Sequence, residues 1–444
     1  MQRRLRVLLF IALAGCGGGG GSGTAPSVPF LPPPPPAKAG KYFTHIVVMI
    51  QENRTFDNLF ARFPGADGTR SGKLHNGKTY FLRQAALVEN VSPNNGYIYW
   101  LRDWHRGKMD GFDTVPIHRI PGIYVYQYVD PEQIAPYWTL AKRYVLADHL
   151  FQTEGSGSFT AHQDLIRGGT AISATQHLMD FPTALPWGCD APAGTRTSLI
   201  GENNDYRSGA GPFPCLSYAT LRDRLDAKQL SWRYYTPATG VGLGGNYWNA
   251  FDAIDAVRHG PEWGANVVSP EKEVLRDIAR NSLPAVSWVI PDAQNSDHPG
   301  TTSDAGPSWV AQVVNAIGAS PSWKNTAIVI VWDDWGGWYD HVAPPKPHRF
   351  GGLGFRVPML LVSPYSRAGY VSHKTYEFGS IVKFIEENWN LPPLGTTDVR
   401  AADFVADFFD FSRARGFVPV GTKYSESFFL QQPPSNRPVD DDQK

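Results

Sequence analysis

The sequence predicts an α/β protein built on an open, mostly parallel sheet. Residues 46–50 and 328–331 are unbroken apolar runs, too short for independent helices and lacking the alternation of a half-exposed strand. Such runs belong to strands covered on both faces. Residues 285–290 and 357–362 supply two further strands, and helical patterns lie between the four. Residues 307–317 carry Trp309, Val310, Val313, Val314 and Ile317 on one face, and residues 380–389 carry Ile381, Val382, Ile385 and Trp389. Three of the strands also stop at clusters of oxygen-bearing side chains. The carboxyl ends of strands in open α/β sheets are where ligands bind.

Taken in order, the chain opens with a basic segment containing Arg3, Arg4 and Arg6, then a short apolar run that ends Leu13-Ala14-Gly15-Cys16. The run is too short to remain as a membrane span, so residues 1–16 are expected to be an export signal. Its last four residues are similar to a bacterial lipobox, which implies a lipid on Cys16 and contact with a membrane through that anchor. The expected location is therefore the cell envelope, or outside the cell if the anchor is absent. Residues 17–41 form a Gly-rich then Pro-rich linker. The catalytic domain is expected over 42–413, with an insertion at about 171–263 and a tail over 414–444 whose last dozen residues are polar enough to be disordered.

Composition narrows the class. The 444 residues carry 41 Lys+Arg and 41 Asp+Glu, a balance that removes any global attraction to nucleic acid, and no nucleic-acid motif is present. A hydrophobic content of 42% is ample for a large core. Of three cysteines, Cys189 and Cys215 remain once Cys16 is assigned to the signal. An even pair in an exported chain predicts a disulfide pinning the insertion.

The polar strand ends carry the chemistry. After the run at 328–331 come Asp333 and Asp334, then Gly336 and Gly337. Adjacent carboxylates repel unless a cation or a shared proton compensates; the alternative is a solvated acidic turn. The run at 46–50 ends in Glu52 and Asn53, again hard oxygen donors, although Asn53 or Thr55 could simply cap a helix. Asp297 and His298 follow the strand at 285–290. Between them in sequence, Gly155-Ser156-Gly157-Ser158 leads into a helical pattern, where backbone N–H groups favour an anion and ease ionisation of a hydroxyl. The spacing is not that of a Gly-x-Ser-x-Gly elbow, which weakens an ordinary serine-esterase reading. His105, in an irregular polar stretch, is a candidate phosphate or substrate contact, or a structural histidine.

Together these motifs resemble the bacterial phosphoesterases that include phosphatidylcholine-type phospholipases C and related acid phosphatases, within the alkaline-phosphatase-like superfamily. The matching stretches are Glu52-Asn53-Arg54-Thr55-Phe56-Asp57, Asn295-Ser296-Asp297-His298-Pro299, and Trp332 to Val342 with its Asp-Asp-x-Gly-Gly-x-Tyr-Asp-His order. The resemblance implies a three-layer α/β/α sandwich with long loop insertions. It also implies one divalent metal on Glu52, Asn53, Asp333, Asp334 and Ser158, with Ser158 as nucleophile and Ser156 or Thr160 as weaker choices. His105, His298 and His341 would line the phosphate pocket beside Asp297. All-oxygen ligation suits magnesium, calcium or manganese better than zinc.

The implied function is metal-dependent hydrolysis of a phosphate ester through a phosphoserine. The chain ends soon after its last recognisable helix, without the C-terminal β-domains usual in the phospholipases of this family. That favours an acid-phosphatase-like phosphomonoesterase or small phosphodiesterase over a phospholipase C acting on lipids of the phosphatidylcholine type. Two departures stand out: Thr160-Ala161 replaces the usual Pro-Asn after the nucleophile loop, and Glu377 falls where a late histidine is common. A sulfatase is excluded by the absence of a Cys/Ser-x-Pro-x-Arg setting at Ser158. A non-catalytic surface lipoprotein that binds metal or ligand is the alternative of another class.

Overall fold

The computed structural model describes residues 32–117, 120–238, 245, 247–345 and 352–435. The export signal, Cys16, most of the linker and the last nine residues of the tail lie outside them. The central sheet has eight strands: β1 (His45–Gln51), β2 (Val145–Ala147), β3 (Trp232–Tyr235), β4 (Val267–Val268), β5 (Val286–Val289), β6 (Thr326–Trp332), β7 (Met359–Val362) and β8 (Tyr370–Ser372). Their spatial order is β4-β3-β5-β1-β6-β7-β2-β8. All run parallel except β7, which is antiparallel to both β6 and β2.

The middle strands are buried on both faces, as their unbroken apolar runs require; every residue of β6 is inaccessible to solvent. Helices cover the two faces separately. Trp288 on β5 is in register with Val48 and, through it, with Val329, and its indole N–H donates to the carbonyl of Leu165 in α2 (Ser158–Arg167) at 3.4 Å. Trp332 is three residues beyond Val329 and therefore points the other way. It meets Tyr137 of α1 (Ala135–Arg143), ring centroids 4.9 Å apart. On the first face α2 packs against α5 (Phe378–Trp389); on the second, α1 and α3 (Glu273–Ala279) pack against α4 (Gly306–Ala319). The result is the expected α/β/α arrangement.

The segment 171–263 differs in detail from a simple insertion. It begins with a four-stranded antiparallel sheet spanning Ala171 to Arg207 and then re-enters the central sheet as β3. Trp232 and Tyr234 of β3 are fully buried, which a loop-rich composition conceals. Cys189 and Cys215 are disulfide-bonded, with Cα atoms 4.4 Å apart. The segment after 414 also packs: Phe417 lies on Trp323, and Phe429 of the helix Glu426–Gln431 lies on Trp309 of α4. Ser435 is buried, its N–H donating to Asp292. Among the described residues no helix is long and apolar enough to cross a membrane.

Candidate active site

The parallel register of β1 on β6 sets Gln51 beside Trp332, so both strands release their chains at the same level. The Asp333 N–H then donates to the Gln51 carbonyl at 2.9 Å, and the Asn53 N–H donates to Asp333 Oδ1 at 3.0 Å. Asn53 is left-handed (φ 57°), a conformation asparagine tolerates better than most residues. Gly336 (φ 60°) turns the other chain back immediately, and a Cβ there would lie 2.2 Å from the Asn53 carbonyl oxygen. Only glycine allows this approach.

Ser158 reaches the same point from the opposite side as the first residue of α2. Its Oγ donates to Asp334 Oδ2 at 2.9 Å and lies 3.3 Å from the Asn53 amide. The other two hydroxyls of the turn point elsewhere: Thr160 bonds Ser156 and the Gly157 carbonyl, while Ser156 accepts from the Asp180 N–H. Glu52, Asn53, Asp333, Asp334 and Ser158 are all fully buried and lie together.

So dense a set of acidic oxygens calls for positive charge. Burial first, and repulsion from Asp333 second, hold the Asp334 carboxyl well above the usual carboxylate range. Asp334 is nevertheless supported by the Gly336 N–H at 2.7 Å and by the Asn95 amide at 3.1 and 3.2 Å. Oδ2 of Asp333 has no hydrogen-bond donor among the described residues. One atom of the Asn53 amide sits 3.3 Å from Ser158 Oγ, 3.2 Å from Asp333 Oδ1 and 3.2 Å from Glu52 Oε2. Without a cation that atom is best a nitrogen. With one it is best the oxygen, and oxygens roughly 3 Å apart are the edges of a polyhedron around a small hard cation. The other amide atom is 3.0 Å from His298 Nε2 and 3.1 Å from Asn95 Nδ2. His298 Nδ1 lies 2.5 Å from the Pro299 carbonyl, and a neutral ring that donates there can accept from the amide nitrogen at Nε2. The donor set fits a divalent metal.

The remaining expected residues divide. His298 adjoins Asn53, its ring tilted over Trp248 with centroids 5.6 Å apart. Asp297 is turned to the other face of the sheet, where its Oδ2 accepts from Tyr137 at 2.8 Å and Trp332 at 3.1 Å; burial pushes its pKa up to about 6. His341 is bound into a different cluster. Its Nδ1 lies 2.7 Å from Asp57, and the buried Arg356 guanidinium bridges Asp57 and Asp340. Burial lowers the His341 pKa, but the hydrogen bond and charge of Asp57 outweigh it and raise it overall. His105 pairs with Asp110 at 2.5 Å and its ring is tilted against that of His75, with no contact to Ser158 or to the carboxylates beside it. Glu377 is taken by Arg400 through two bonds of 2.9 and 2.8 Å.

Two site neighbours escape the sequence reading. His162 lies one helical turn beyond Ser158 on α2, and its Nε2 is 2.8 Å from Glu52 and 3.7 Å from Asp333. The i, i+4 spacing from the serine is the available signal. Asn95, which braces Asp334, comes from an irregular segment with no periodicity to mark it. Beside the serine turn lies a cleft of about 310 Å³ lined by Ile98, Tyr99, Phe181, Pro182 and Tyr206 together with the polar Asp180, Thr183, Ser198 and Ser208, with Phe181 packed on Gly157.

A mostly parallel sheet whose strand ends gather three carboxylates, an amide and a hydroxyl defines an α/β protein with an oxygen-rich centre suited to a hard divalent cation. The chain belongs to the Phosphoesterase family, whose model matches residues 43–392. It is 26% identical over 399 residues to the non-hemolytic phospholipase C of Pseudomonas aeruginosa, covering 78% of this chain and 54% of that one. To the phospholipase C A of Mycobacterium tuberculosis it is 24% identical, covering 78% and 73%. The chain thus spans about half the length of the first of these relatives. Among solved structures, a protein in the alkaline phosphatase superfamily from Vibrio parahaemolyticus matches 85% of this chain and 75% of that one, at 10% identity and a TM-score of 0.36.

Proposed function

We propose that the protein hydrolyses phosphate esters through a covalent phosphoserine on Ser158. The observation that carries this reading is the Ser158 hydroxyl at the start of α2, hydrogen-bonded to Asp334 and touching the Asn53 amide. Glu52, Asn53, Asp333 and Asp334 would hold the metal, with His162 bracing Glu52; once bound, the cation supplies positive charge that favours ionised Ser158 and polarises a phosphoryl oxygen. The carboxylate at 2.9 Å fixes the direction of Oγ and takes up its proton as the hydroxyl attacks phosphorus. The O–P bond forms as the ester O–P bond breaks, and the departing alkoxide takes up the proton that Asp334 received from Ser158. The N-terminus of α2 adds its partial positive charge to the developing phosphoryl charge, and His298 stands next to it. Water then cleaves the phosphoserine and restores the hydroxyl.

The adjoining cleft has a mixed lining, with Ile98, Phe181 and Pro182 beside Asp180, Thr183, Ser198 and Ser208, and suits a leaving group that carries both polar and apolar parts. A phosphomonoester or small phosphodiester is the substrate class proposed first. A phospholipid of the phosphatidylcholine type is the second, favoured by the similarity to phospholipases C. Export and an N-terminal lipid anchor are proposed from residues 1–16. The test is product release from an aryl phosphomonoester, an aryl phosphodiester and phosphatidylcholine, each with and without chelator. Ser158→Ala should abolish turnover and the phosphorylated peptide seen on acid quenching. Thr160→Ala should stay within about tenfold of the parent, since its hydroxyl faces away. Turnover by Ser158→Ala within that same range would overturn the assignment.

A further inference from the structure

Among the described residues, three groups of side chains outside the oxygen-rich centre have the spacing to hold a metal: Asp57/Asp340/His341, Cys189/Cys215/Asp255/His259, and His75/His105/Asp110. In the first, the Arg356 guanidinium already supplies the cation. In the second, the two sulfurs are joined to each other. The third has neither disqualification.

We propose that His75, His105 and Asp110 form a second metal site, on the surface, selective for a borderline transition metal of the zinc type. One ligand atom from each residue lies within 4.8 Å of the other two, and the His75 and His105 rings are 5.0 Å apart between centroids. The three come from two segments that the fold ties together independently. His75 stands in the turn between the paired strands Ser71–Lys73 and Thr79–Phe81, and its backbone N–H donates to Asp113 at 2.9 Å, just beyond the loop that carries the other two residues. That loop follows the helix Tyr97–Trp104 and is built from left-handed residues: His105 at φ 40°, Arg106 at 60°, Gly107 at 86° and Met109 at 54°. Three non-glycine residues in this region are costly for a loop that only connects, and such conformations persist where surrounding structure or a ligand holds them. Met109, at the loop's far end, is buried and anchors it.

The chemistry distinguishes this site from the first. Two imidazoles and one carboxylate select zinc, cobalt or nickel, whereas the buried cluster offers mainly oxygen to a hard cation. His75 is exposed and His105 and Asp110 half-buried, so a fourth position is open to water and the metal enters without disturbing the core. The proposal also explains why His105, expected at the phosphate, lies apart from it. It does not depend on the esterase reading.

The experiment is a zinc titration of the full chain, stripped with chelator and then saturated with magnesium, in competition with a chromophoric chelator. The wild type should bind one zinc equivalent that His75→Ala binds at least about tenfold more weakly. Asp333→Asn should keep that equivalent. Cobalt in place of zinc should give visible bands in the wild type that His75→Ala lacks. His75 is exposed, so its replacement leaves folding intact, which circular dichroism checks. Superimposable zinc isotherms for wild type and His75→Ala would overturn the site, as would loss of the zinc in Asp333→Asn alone. Under either result His105 and Asp110 are simply a hydrogen-bonded pair.

Discussion

At the scale of single residues, the proposed metal set divides by what each carboxylate has around it. Asp334 is hydrogen-bonded by Gly336, Asn95 and Ser158, whereas Oδ2 of Asp333 has no donor among the described residues. Asp333 therefore has most to gain from a cation. Asp333→Asn should lower bound divalent metal, read by elemental analysis, together with a fall in kcat of at least about tenfold. Unchanged metal would count against the site. Asp297 behaves oppositely. In the folded chain burial penalises its charge and pushes its pKa up to about 6 from the ordinary 3.8. The folded chain thus holds the extra proton between these values. The associated stability is fully present below the unfolded pKa and is lost as pH rises towards 6, a difference of about 3 kcal/mol. Asp297→Asn keeps an oxygen for Tyr137 and Trp332 and removes the titration. Urea unfolding from pH 4 to 7 should show the variant gaining on the wild type across that window; parallel curves would refute the assignment. Glu52, Asn53, Asp333 and Asp334 are legible because each directly follows a buried strand. His341 and Asp297 lie on the same motifs, and their roles are not legible: direction off a strand end depends on partners such as Arg356 and Tyr137 that sequence adjacency does not reveal.

At the scale of elements, the site is a junction between β1, β6 and α2, and its precision depends on how closely two chain turns approach. Gly336 takes a positive φ with its Cα against the Asn53 backbone. Gly336→Ala would force either that φ or the 2.2 Å contact to change. Its stability cost should be at least about 1 kcal/mol from the backbone conformation alone. Because the displaced backbone is that of Asn53, activity should fall further than stability does. Activity loss measured well below the melting temperature, with a modest shift in urea midpoint, would bear this out; full activity would show that the approach is not what sets the ligand geometry. The long apolar runs by themselves mark β1 and β6 as interior strands. Strands such as β4 and β8, two and three residues long, carry no periodicity to detect, and β3 is concealed within a Gly- and Pro-rich segment.

At the scale of the molecule, sequence patterning locates the core and misjudges its edge. The catalytic domain is expected over 42–413, with a tail beyond it whose last dozen residues are polar, and the segment after 414 returns along α4. Phe417 packs on Trp323 and Phe429 on Trp309, while Asn315 exchanges hydrogen bonds with both backbone groups of Val420. Val420 and Phe429 are almost fully buried. Aromatic residues scattered through a polar tail have no period, so only the surface that receives them identifies them as core. Burying a large apolar side chain contributes roughly 1.5–3 kcal/mol, so a chain ending at Gly416 should lose about 5 kcal/mol by forfeiting three. That is a large part of the margin on which a folded domain rests. Among the described residues, none of the lost contacts touches Ser158, Asp333 or Asp334. The truncated protein should therefore show a much lower denaturant midpoint while keeping, at low temperature, the turnover of the full chain per folded molecule. An equal loss of turnover without unfolding would mean that α4 transmits the tail's packing to the strand ends. An unchanged midpoint would mean that the segment lies on the fold without holding it.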